Sequence, residues 1–166
     1  MKVFRAFGFG LAIIILLGIF GCQLNNGMFW THNSKTGAFQ TNDIGRAQKE
    51  IDFPLIFPTY VPQQLFTPPT VRGQVRGTQG NGEVEIVYNG QGMTLSIDEY
   101  STNTTFYLAY PEQVVLNETE VQRSIQENNT TVITSYTWKQ IGLSIKVEAH
   151  GITLGETEQI VISMFK

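Results

Sequence analysis

The sequence has few of the residues that carry metal, redox and phosphate chemistry. Its 166 residues include one Cys and two His, and only 15% are charged, against roughly a quarter in an average soluble protein. A single Cys excludes an internal disulfide and a cysteine-based zinc cluster. Without any run of Lys or Arg, nucleic acid is a poor candidate partner. The composition therefore predicts no cofactor, no metal site and no nucleic-acid partner.

The length and the apolar content are typical of one folded domain with short appendages. Hydrophobic residues make up 42% of the chain, which excludes disorder along its whole length. A chain of 166 residues leaves little room for a second independent core. We therefore expect a single domain rather than a multidomain enzyme.

The first 22 residues have the pattern of an export signal. Lys2 and Arg5 precede an uncharged apolar stretch over residues 6–21, which is shorter than the roughly 20 residues of a membrane-spanning helix. The stretch ends in Ile19-Phe20-Gly21-Cys22 and resembles the lipobox of bacterial lipoproteins, in which an aliphatic residue lies three positions before the Cys and a small one directly before it. Removing residues 1–21, with Lys2 and Arg5, changes the formal net charge from -3 to -5.

This resemblance implies a signal peptide over residues 1–21 that is cleaved between Gly21 and Cys22. It also implies that the Cys22 thiol carries a diacylglyceryl group, which would hold the protein by its acyl chains, palmitate among them, at the extracytoplasmic face of the bacterial cell membrane. The alternative is that Cys22 is a small hydrophobic residue in an uncleaved membrane helix. The lone Cys directly after the apolar run favours lipidation.

Residues 22–46 are rich in Asn, Gly, Thr, Ser and Gln and show no sustained hydrophobic period. We expect this segment to be a flexible, lipidated tether and the domain to cover residues 47–166. Met28, Phe29 and Trp30 interrupt the polar composition. They either dip into the membrane interface, where Trp is favoured, or pack as a local cluster on the domain.

The rest of the chain predicts an α+β fold, in which a short C-terminal helix covers an antiparallel sheet. The segment with Pro54, Pro58 and Pro62 is expected to be extended and to lie at an edge. Thr153 and Glu156 have the spacing of a helix capping box. Apolar and polar residues alternate in the predicted strands, which lie at 70–74, 84–88, 93–97, 114–116, 121–125, 131–139 and 143–149.

A second resemblance covers residues 47–164. The motif Phe57-Pro58-Thr59-Tyr60-Val61-Pro62, the run Tyr136-Thr137-Trp138 followed by Gly142, and the closing helix resemble a domain of unknown function in lipoproteins and membrane-anchored regulators of Gram-positive bacteria. Related folds include the half-barrels of lipoprotein carriers and of periplasmic sensors. In those related folds a curved sheet cups an apolar ligand.

No combination of side chains indicates catalysis. His150 lies near Glu148 in the sequence. A catalytic base needs a nucleophile, and the sequence has no Gly-x-Ser-x-Gly motif to supply one, so we expect His150 to be a surface residue. Asp98 and Glu99 are neighbours on a strand and therefore point to opposite faces, so they cannot flank one glycosidic bond and are expected to be solvated. Tyr60, Tyr136 and Trp138 are candidates for lining a ligand groove, although large aromatic residues in such a sheet more often belong to the core.

These patterns predict a membrane-anchored lipoprotein that acts as a binding or interaction module rather than as an enzyme. Its expected partners are the membrane, through the lipid anchor, and an envelope protein or a cell-wall component. The alternative is a carrier or sensor that holds a lipid-like apolar ligand under the curved sheet.

Overall fold

The computed structural model describes residues 29–76, 81–101, 104–128 and 130–165. The predicted signal peptide, Cys22 and Met28 lie outside the described residues. Within these ranges the chain forms nine strands and two helices. They are β1 (Trp30–Asn33), β2 (Ala38–Thr41), α1 (Ile44–Glu50), β3 (Thr70–Arg76), β4 (Asn81–Gly90), β5 (Met93–Tyr100), β6 (Glu112–Leu116), β7 (Thr119–Asn128), β8 (Thr131–Gln140), β9 (Leu143–His150) and α2 (Leu154–Ile162).

All nine strands form one antiparallel sheet in the order β1-β2-β3-β4-β5-β9-β8-β7-β6. The predicted antiparallel sheet and C-terminal helix are confirmed. The fold is mainly β rather than α+β, because the two helices have only 7 and 9 residues. Neither helix in the described part of the chain is long and apolar enough to cross a membrane.

One face of the sheet, which we call the inner face, carries most of the core. Ile97 of β5 pairs with Ile86 of β4 and with Val147 of β9, and Val147 pairs with Tyr136 of β8. All four side chains are fully buried. Because side chains alternate along a strand, the predicted hydrophobic periods place these residues on the same face.

The C-terminal helix and the proline-containing segment cover the inner face. Helix α2 begins where Thr153 Oγ1 accepts a hydrogen bond from the Glu156 backbone N–H at 3.3 Å, as the capping-box spacing predicted. Its buried positions include Ile160 and Val161. The proline-containing segment comprises residues 51–69. Its residues Ile51, Phe53, Leu55, Ile56 and Leu65 are also buried, so this face is occupied by side chains of the chain itself.

The N-terminal strands correct the predicted domain boundary at residue 47. Strand β2 pairs with β1 on one side and with β3 on the other, so residues 30–41 extend the sheet instead of forming a flexible tether. Trp30 stacks on Phe39 with ring centroids 5.9 Å apart, and the Arg46 guanidinium lies 4.1 Å from the Trp30 ring. Strands of four residues are too short to show a hydrophobic period, and aromatic packing and pairing with β3 hold them in place.

Candidate functional site

The strand order requires a long connection between β5 and β6. This connection crosses the face of the sheet that lies opposite to the core, and we call this face the outer face. Strand β5 lies in the middle of the sheet and β6 at its edge, so the chain between them must pass β9, β8 and β7. We call its residues 104–111 the crossover segment. Leu108 of this segment is buried, and Ser124 Oγ on the outer face of β7 donates a hydrogen bond to the Ala109 carbonyl. The crossover segment is therefore fixed to the sheet.

A groove of about 430 Å³ lies beside the crossover segment, and we call it the outer groove. It lies where the pairing of β7 with β8 ends. This pairing runs from Gln122 opposite Thr137 to the far ends of these strands, whereas residues 119–123 of β7 pair with β6. The residues around the opening are Thr104, Thr105, Phe106, Gln113, Glu120, Val121, Gln122, Thr137, Trp138, Lys139 and Ser144.

The outer groove combines neutral polar groups with one aromatic wall. Its described lining includes four hydroxyl side chains and two carboxamides, with one carboxylate, Glu120, and one ammonium group, Lys139. Gln113 Nε2 donates a hydrogen bond to Glu120 Oε2 at 2.9 Å. The Phe106 ring is held edge to face by Tyr100, with centroids 5.2 Å apart. The volume lies in the range of small-molecule sites, and the lining is more polar than is usual for them.

Two tyrosines follow Phe106 on the crossover segment and point into solvent. Tyr107 is 91% exposed and Tyr110 is 95% exposed, on either side of the buried Leu108. The backbone of Tyr110 has a φ of 52°, a left-handed conformation that disfavours any residue with a side chain. Tyrosine is a residue type in which binding energy concentrates at interfaces. The sequence gives no local signal for this arrangement, because it depends on where the crossover segment lies.

The three aromatic residues predicted from the sequence to line a groove are separated by the fold. Tyr136 is fully buried on the inner face, and burial raises its pKa to about 12. Trp138 is buried beside Phe165, with ring centroids 5.5 Å apart, although it also borders the outer groove. Tyr60 lies on the proline-containing segment, where its backbone N–H donates to Ser163 Oγ at 3.2 Å. Tyr136 and Trp138 thus contribute to the core.

An ionic network that the sequence did not indicate joins the edge strand to the C-terminal helix. Arg123 donates from Nε to Glu112 Oε1 at 2.8 Å and from Nη1 to Glu158 Oε1 at 2.9 Å. The Tyr136 hydroxyl lies 3.4 Å from the same Glu158 oxygen. Strands β6, β7 and β8 are therefore tied to α2 beneath the region of the outer groove.

Asp98 and Glu99 point to opposite faces, as predicted, but the prediction that both are solvated is wrong for Glu99. Glu99 is fully buried, and its two carboxylate oxygens lie 3.0 and 3.2 Å from the Ile56 backbone N. Asp98 lies on the outer face, where burial raises its pKa to about 6 despite the opposing effect of Lys146. Each carboxylate has its own environment, and the pair does not form one site.

His150 belongs to a cluster of polar side chains around Glu148 on the outer face. Its Nε2 lies 2.9 Å from Glu148 Oε1, and Lys146 Nζ lies 2.7 Å from Glu148 Oε2. Burial raises the pKa of Glu148, but the hydrogen bonds from Lys146 and His150 outweigh this effect and lower it. Ser135 Oγ also reaches Glu148, at 3.5 Å, so the carboxylate stands between the hydroxyl and the imidazole. This order differs from that of a catalytic triad, in which the imidazole contacts the nucleophile directly.

Among the described residues, no three His, Cys, Asp or Glu side chains come together in a way that could hold a metal ion. Comparison with protein-family models, with curated proteins and with solved structures found no match. The two resemblances noted from the sequence therefore stay predictions. The outer groove is the candidate site, because it combines a cavity with polar groups that converge on it from several strands and from the crossover segment.

Proposed function

We propose that the chain is a lipid-anchored binding module on the extracytoplasmic face of a bacterial membrane. In this proposal Cys22 carries the lipid, and the folded domain contacts an envelope protein or a cell-wall component without catalysing a reaction. The observation that carries the proposal is the lone Cys of the chain, which directly follows Ile19-Phe20-Gly21 at the end of an apolar run. A diacylglyceryl group supplies two acyl chains, and two chains are enough for stable membrane attachment.

The outer face supports the binding part of the proposal. It offers a groove with polar groups and two tyrosine rings in solvent, on a crossover segment that Leu108 and Ala109 fix to the sheet. Tyrosine supplies a large contact area at a low cost in conformational entropy, because its side chain has only two χ angles. Two such side chains on a backbone that is held to the sheet suit recognition.

Metabolic labelling with an alkyne-tagged fatty acid tests the anchor in cells that express the full chain. We expect the parent protein to be labelled and Cys22→Ser to be unlabelled and to retain the mass of its signal peptide. Asn26→Ser is the matched control, because it also introduces a serine, but four residues away from Cys22. It should be labelled like the parent. Equal labelling of Cys22→Ser and the parent would refute the lipid anchor.

A further inference from the structure

We infer that the outer groove binds an uncharged oligosaccharide. This inference rests on the proposed function, since it names the class of ligand that the binding module recognises. It depends on three properties of the groove, which are its hydrogen-bonding groups, its charge and its length.

The hydrogen-bonding groups match those of a sugar. Hydroxyls and carboxamides both donate and accept hydrogen bonds, as sugar hydroxyl and acetamido groups do. Thr105, Gln122 and Thr137 bring such groups to the groove from the crossover segment, β7 and β8. Phe106 adds a flat apolar surface on which the C–H face of a pyranose ring can pack. Tyr107 and Tyr110 on the same segment are exposed, but they do not line the groove.

The charge of the groove favours a neutral ligand. Glu120 and Lys139 bring opposite charges to its described lining. The chain without residues 1–21 has a formal net charge of -5, so its field repels an anionic polymer at long range. A cationic ligand would meet the like charge of Lys139 at the groove itself.

The length of the opening disfavours an extended peptide. The opening lies between residues 120–122 of β7 and residues 137–139 of β8. Three residues of a strand span about 10 Å, whereas a typical added strand spans about 17–20 Å. The opening is therefore too short for a peptide that adds to the sheet as a strand.

Isothermal titration calorimetry of the full chain in detergent, with the disaccharides chitobiose and maltose as probes, tests the inference. We expect saturable binding of at least one of them. Gln122→Ala should weaken this binding about fivefold to tenfold, which is the effect of losing one neutral hydrogen bond. Gln126→Ala is the matched control, because Gln126 is an exposed glutamine on the same strand and the same face but four residues from the groove. It should leave the affinity within twofold.

A second pair of variants tests the aromatic wall. Phe106→Ala should weaken binding about tenfold, whereas Phe66→Ala, which removes an exposed phenylalanine from the proline-containing segment, should not. Far-UV circular dichroism of all four variants checks that each is folded. Because Gln122 is exposed on the surface of β7, its variant keeps the test valid if Phe106→Ala fails to fold.

Three results would overturn the inference. The first is the absence of saturable binding of either oligosaccharide. The second is an equal effect of Gln122→Ala and Gln126→Ala on the affinity. The third is displacement of the sugar by a hexapeptide of alternating Thr and Val at a concentration lower than that of the sugar. None of these results bears on the fatty-acid labelling of Cys22, so failure of the oligosaccharide inference and failure of the lipid anchor can be told apart.

Discussion

Glu99 is predicted to fix the proline-containing segment to the middle of the sheet. It lies on β5, beside β9 and β4, and both of its carboxylate oxygens are within 3.2 Å of the Ile56 backbone N. Ile56 is itself buried, so water cannot replace this acceptor without a rearrangement. Removing the carboxylate should therefore loosen the layer that covers the inner face.

The structure sets the size of the effect. Glu99→Ala leaves a buried N–H without its acceptor, which costs about 1–3 kcal/mol, and the space left by the missing atoms adds to this cost. We expect a total loss of about 3–4 kcal/mol in the free energy of unfolding. Glu99→Gln keeps an oxygen and nearly the same shape, so its loss should be about 1–2 kcal/mol.

Urea denaturation of the full chain, followed by circular dichroism, measures these losses. Glu85→Gln is the control, because Glu85 lies on the outer face of β4 with its side chain 40% exposed, and its effect should stay within about 0.5 kcal/mol. Hydrogen exchange of the Ile56 amide provides a local measurement. In Glu99→Ala, the exchange rate of this amide should increase more than the exchange rates of the amides in β9. A loss below about 1 kcal/mol for Glu99→Ala, with unchanged exchange at Ile56, would refute this reasoning.

Three further predictions concern single residues. Trp138→Ala removes a buried ring that packs edge to face on Phe165. It should lower the free energy of unfolding, measured by urea denaturation, by about 3–5 kcal/mol. An unchanged unfolding transition would show that the ring is not part of the core. Burial raises the pKa of Asp98 to about 6 in the folded protein, so its ionisation should reduce the free energy of unfolding as the pH rises from about 4 to about 6. Asp98→Asn should remove this decline. Parallel curves of stability against pH for the variant and the parent would contradict the raised pKa. Ile141 has a φ of 44° in the turn before Gly142, a left-handed conformation that Asn tolerates better than Ile. Ile141→Asn should therefore stabilise the protein by about 1 kcal/mol. A lower melting temperature of this variant would count against backbone strain at this position.

The strands with one buried and one outer face could be predicted from the sequence, because their apolar residues alternate. Strands β4, β5, β8 and β9 follow this pattern, and the Thr153 capping box marks the start of α2. The same alternation places Glu99 on the buried face after Leu95 and Ile97, but a charged residue is expected in water unless its partner is known. That partner is the backbone of Ile56, which is 43 residues away in the sequence.

The outer groove could not be predicted, because it depends on which strands pair across long stretches of the chain. The pairing of β5 with β9, and not with β6, takes the crossover segment over the outer face. Local sequence patterns specify the type of a strand and its buried face, but they do not specify its neighbours. The positions of Phe106, Tyr107 and Tyr110 depend on this pairing and on the contact of Ser124 with Ala109.

The positions of β1 and β6 at opposite edges of the sheet determine how an anchored protein would face its surroundings. Seven peptide units join Cys22 to Phe29, just before β1, and a chain of this length spans at most about 25 Å. The β1 edge would therefore stay close to the bilayer. The outer groove lies between β8 and β7, six to seven strands from β1, which is roughly 30 Å at 4.8 Å per strand. On a sheet that stands on its β1 edge, the groove would lie far from the lipid headgroups and open sideways, parallel to the membrane.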